Sequence, residues 1–107
     1  MEGQVQVQGS VRVMRELGSF DLCLPSGVAR VECAVLTGEG GPRTLRLRAR
    51  EHAIVITYHL VGALAGSFEV DGDGNLRPEL ATQLRRELCQ LAHARRLPYL
   101  AHLIAKA

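Results

Sequence analysis

Arginine falls on alternate positions in the stretch 44–50, TLRLRAR, with Arg43 immediately before it. In an extended strand this spacing puts Arg46, Arg48 and Arg50 on one side. A guanidinium group presents a planar fork of donors that matches a phosphate or a carboxylate. The strand pattern elsewhere adds Arg12 and Arg30 to the same polar side, mixed with Glu16, Asp21 and Glu32. The candidate nucleic-acid-binding set is therefore Arg30, Arg46, Arg48, Arg50 and Arg12, extended by Arg85 and Arg86 from a helix further along the chain. Such a face could follow a phosphate backbone, each contact releasing a counterion. The same residues also describe a solvated sheet face held by cross-strand pairs such as Glu32–Arg48, each worth up to about 1 kcal/mol. No aromatic residue falls on that face, and single-strand binders usually stack bases on aromatic rings.

Other chemistry is thinly represented. Cys23, Cys33 and Cys89 are odd in number and widely spaced, which suits neither a disulfide framework nor a zinc site. The expectation is reduced thiols in a cytoplasmic protein. His52, His59, His93 and His102 show no chelating spacing, so neither a metal nor another cofactor is expected. The run 71–75, DGDGN, matches the first positions of a calcium loop, but Leu76 stands where glycine is required and Thr82 where a bidentate glutamate is. A turn is the simpler reading. No catalytic motif is present. Tyr58 and His59, on an otherwise apolar stretch, are the best candidates for a small polar pocket, or else are two satisfied buried groups.

These residues must be positioned by a small fold. The chain has 107 residues, enough for one domain spanning 1–107. Apolar residues make up 47 %, with no tryptophan, two phenylalanines and two tyrosines, so the core must be mostly aliphatic. Twelve of the thirteen basic residues are arginine and the net charge is +2, which excludes neither nucleic acid nor an acidic protein partner. No leader-like N-terminal segment and no membrane-length apolar run occur, so no membrane association is expected.

From residue 4 to 71 the apolar positions alternate with period two, the mark of half-buried strands. Val5, Val7, Val11 and Val13 read as one long first strand, with a bulge at Gly9. Gly18-Ser19 suits a two-residue hairpin turn that pairs Leu17 with Phe20 and Val13 with Leu24; only Arg15 opposite Leu22 does not fit. Pro25-Ser26-Gly27 is a further turn, followed by a strand over 28–37. A five-residue loop over 38–42 would pair Thr37 with Arg43, Val35 with Leu45, Cys33 with Leu47 and Val31 with Ala49, and would set Glu32 opposite Arg48 and Arg30 opposite Arg50. Residues 53–61 are apolar on both parities, which suits a strand covered on both faces or central in the sheet. A short strand over 67–71 follows.

From Pro78 the period becomes helical. Leu80, Leu84, Leu88 and Leu91 form a stripe, Pro78 and Glu79 suit the helix start, and Arg95 and Arg96 suit its end. The helix is expected over 78–96, with a second short one over 98–106 after Pro98. The expected fold is thus α+β: an antiparallel meander of five or six strands, a long C-terminal helix and a short second one. Its first strand would leave an open edge, which favours a homodimer or other homo-oligomer. Three functions fit: a non-enzymatic module binding nucleic acid or another polyanion, a protein-interaction module (chaperone, adaptor or inhibitor), or a small enzyme with a pocket at Tyr58 and His59.

Overall fold

The computed structural model describes residues 13–49, 51, 53–71 and 76–106. Five strands run in chain order across one antiparallel sheet: β1 Val13–Leu24, β2 Gly27–Gly38, β3 Gly41–Ala49, β4 Ile54–His59 and β5 Phe68–Val70. Two helices follow, α1 Pro78–Ala94 and α2 Pro98–Lys106. The α+β meander read from the sequence is the architecture of the chain. The expected bulge at Gly9, the Arg30–Arg50 pairing, and the turn at 72–75 lie outside the described residues.

The register of β2 on β3 follows the apolar alternation: Val31 faces Ala49, Cys33 faces Leu47 and Val35 faces Leu45. β4 continues the row, with Ile56 opposite Leu47 and Tyr58 opposite Leu45. Apart from the half-buried Ala49, these side chains are buried under Leu84, Leu88 and Ala92 of α1 and Leu100, Ala101 and Ile104 of α2. The stripe on α1 exists to cover this face, because each large aliphatic side chain removed from water contributes about 1.5–3 kcal/mol. Burial pushes the Cys33 thiol up to about 12, so it remains a core residue in its neutral form. β4 lies between β3 and β5, but neither face is covered along its whole length: Ile56 and Tyr58 are buried on the helix side while Ile54 is exposed, and Val55, Thr57 and His59 on the other side are half-buried.

Two turns differ from the sequence expectation. Gly18-Ser19 is not a hairpin: β1 runs straight through it, and the register shifts by one residue between Glu16 and Gly18. This is a β-bulge, and Leu17 is the extra residue. A bulge and a two-residue hairpin both move the apolar set from odd to even positions, so parity alone could not separate them. The turn at Pro25-Ser26 decides between them, because it lets all of β1 pair with an equally long β2. The second difference is at 38–42. Gly38 pairs with Gly41 across a two-residue turn, Thr37 pairs with Pro42, and the extra residue is absorbed before Thr44. Gly40 and Gly41 have φ of 91° and 117°, the left-handed geometry that tight hairpin connections demand. The pairings from Leu36 inward are unaffected.

Candidate functional site

The outer face of the sheet, away from the helices, carries the arginine row. Arg46 and Arg48 are exposed there, flanked by Thr57 and Val55 on β4. Arg12 and Arg50 lie outside the described residues. Arg30 is ion-paired with Asp21, directly opposite on β1, at 3.1 Å. Glu32 faces Arg48 as expected. Among the described residues three arginines on this face (Arg30, Arg46, Arg48) stand among four carboxylates (Glu16, Asp21, Glu32, Glu69). A cleft of about 130 Å³ beside Arg46 and Arg48 is also lined by Glu16 and Glu32. The described part of the face is therefore charge-balanced, with no anion-attracting excess.

The helix arginines do not extend that row, because α1 covers the opposite face. Arg85 donates from Nη2 to the Gly66 carbonyl at 3.2 Å, and its guanidinium carbon lies 5.9 Å from the centre of the Phe68 ring. It clamps the 62–67 loop to α1. Arg86 is exposed to solvent. Tyr58 and His59 share no pocket. Tyr58 is fully buried and donates to the Ile104 carbonyl, whereas His59 points to the outer face and bonds Glu69.

A different set of residues comes together at the corner between α1 and α2. At the end of β1 and β2 remote from the Pro25-Ser26 turn, a groove of about 400 Å³ opens on the helix-facing side of the sheet. Its floor and walls include Leu17, Val35, Leu97, Pro98 and Leu100, and Tyr99 stands at its side, 59 % exposed. Three arginines line it, Arg15, Arg95 and Arg96, against the single carboxylate of Glu16. None of the three guanidinium groups has an ion-pair or hydrogen-bond partner among the described residues. A comparable groove at the other end of the sheet, about 440 Å³, holds Arg77 with Glu79 and is balanced.

Local backbone geometry builds this corner. In an unbulged β1 the residue opposite Val35 would be Glu16; the extra Leu17 puts Arg15 there instead. The bulge thus turns an arginine from the outer face into the groove, a known use of bulges beside functional sites. Gly18 then leaves room for the helix end: a Cβ there would stand 3.0 Å from Nη2 of Arg95 and 3.2 Å from Cδ1 of Leu91. Finally, α1 ends in a Schellman motif, with the Leu97 amide donating to the Ala92 carbonyl at 2.9 Å and the Arg96 amide to that of His93 at 3.0 Å. The residue at the left-handed position, φ 58°, is Arg96 and not the usual glycine. An L-residue costs about 1–2 kcal/mol in that conformation.

Arg96→Gly should therefore raise the folding free energy by about 0.5–1 kcal/mol, the relief of strain less the greater freedom of an unfolded glycine. Urea unfolding followed by circular dichroism reads this directly. A loss of stability would show that the Arg96 side chain supports the corner and does not strain it.

From the sequence alone Arg95 and Arg96 read either as helix-end charges or, with Arg85 and Arg86, as a basic group extending an anion-binding surface, and Arg15 reads as a misfit in a hairpin. The signals were there: a charged residue at an apolar parity, and no glycine between the end of the helical stripe and Pro98. Among the described residues β1 is an edge strand that pairs only with β2. Among the described residues no helix is long and apolar enough to cross a membrane, and no three His, Cys, Asp or Glu side chains are grouped to hold a metal ion. Compared with protein-family models, with curated proteins and with solved structures, the chain matches none.

Proposed function

We propose that this chain is a small non-enzymatic binding module for an anionic partner, a class that includes nucleic acid and other polyanions, and that its grip is the α1–α2 corner. The observation that carries the reading is the corner groove, where Arg15, Arg95 and Arg96 outnumber Glu16 and find no protein partner among the described residues. Unneutralised guanidinium groups over low-dielectric walls attract anions far more strongly than a balanced face does. The row at Arg46 and Arg48 is secondary, because carboxylates stand beside it.

The test is fluorescence anisotropy with a labelled single-stranded oligonucleotide as a generic polyanion, at 50 and 200 mM salt. Engagement of three phosphates predicts a fall in affinity of about 20-fold over that range. The triple change Arg15→Gln, Arg95→Gln, Arg96→Gln should remove the binding, and the pair Arg46→Gln, Arg48→Gln should leave most of it. Binding lost with the second set and kept with the first would return the grip to the sheet face.

A further inference from the structure

The corner groove is shaped for a more specific ligand than a generic polyanion. We propose that it takes a small organic acid: a single carboxylate on an apolar body, such as a medium-chain acyl or an aryl acid. This inference rests on the anionic-partner reading above.

Size is the first argument. About 400 Å³ lies within the range of small-molecule sites, roughly 300–1,000 Å³. A nucleic-acid backbone needs cations repeated along a track, whereas here they are gathered at one corner. Lining is the second argument. Beyond its charged groups the lining has only two side-chain donors, the Thr37 and Tyr99 hydroxyls, whereas Leu17, Val35, Leu97, Pro98 and Leu100 have none, so a ligand polar along its length would leave most of its groups unpaired. An apolar body meets these side chains and the exposed Tyr99 ring without that penalty. Charge is the third. A carboxylate accepts paired N–H bonds from a guanidinium fork, and such charge-assisted bonds are about twice as strong as neutral ones. Construction points the same way: the bulge at Leu17-Gly18, which delivers Arg15 and leaves room for Arg95, and the left-handed Arg96 at the end of α1 are two separate backbone features that meet at one place.

The experiment is isothermal titration of the full chain at constant ionic strength with acetate, butanoate, hexanoate and octanoate, beside octanol and inorganic phosphate. Affinity should rise along the acids by up to about fourfold for each methylene buried, leaving octanoate at least about tenfold tighter than acetate. Octanol, with the same body and no charge, should bind at least about tenfold more weakly than octanoate. Arg15→Gln and Arg95→Gln should each weaken octanoate about tenfold, and Arg46→Gln should not. Both targeted side chains are exposed, so the variants retain the fold. Octanoate no tighter than acetate, with phosphate held in an arginine-dependent manner, would overturn the organic-acid ligand and leave the anionic-partner reading intact. Octanol binding as tightly as octanoate would also overturn it. No arginine-dependent binding of any anion would overturn both.

Discussion

Tyr58→Ala should lower the folding free energy by about 4 kcal/mol, within the range for truncating a large buried aromatic side chain. Tyr58 has no exposed surface and sits among the largest fully buried side chains. Its ring lies 4.4 Å from that of Phe68, tilted by 36°, which ties β4 to β5. Its hydroxyl donates to the Ile104 carbonyl at 3.4 Å. That carbonyl is in the last turn of α2, where no helical amide remains to bond it. One side chain thus joins three elements. Tyr58→Phe separates its two roles. It keeps the ring and loses only a long hydrogen bond, so about 1 kcal/mol is expected. Urea denaturation of both variants measures the two costs. Equal losses would mean that the hydroxyl, and not the packing of the ring, holds α2 to the sheet.

The same residue shows what a sequence can and cannot yield. Tyr58 was legible as either a satisfied buried group or a pocket wall, since both place a polar tip on an apolar strand. Only the position of α2 decides between them, and that depends on contacts far apart in the chain. The pairing of Val31, Cys33 and Val35 with Ala49, Leu47 and Leu45 was legible because a slip of one residue would have exposed every core side chain. The leucine stripe of α1 was legible for a similar reason. Arg15 and Arg95 were not legible as neighbours. Their approach depends on one extra residue in β1, and the alternation of apolar positions reads the same for a bulge and for a hairpin. Arg46 and Arg48 were placed correctly on one face, but their carboxylate neighbours Glu16 and Glu69 come from strands at opposite edges of the sheet. The charge of a face is set by topology as much as by any one strand.

Gly18→Val, the second large effect, tests that bulge and the groove together. The expected cost is about 3 kcal/mol, from two sources. Gly18 has φ of 145°, a conformation L side chains rarely adopt, and a β-branched residue adopts it least readily. A new side chain would also press on Leu91 and on the Arg95 guanidinium. The two sources can be told apart. In an Arg95→Ala background part of the crowding is gone, so Gly18→Val should cost about 1 kcal/mol less there, while the backbone strain persists. Binding at the corner should weaken even where the variant stays folded, since the displaced α1 end carries Arg95 and Arg96 away from Arg15. If Gly18→Val were neutral, β1 could not be bulged at this point. Arg15 would then return to the outer face with Arg46 and Arg48, and the corner would lose one of the cations on which its function rests.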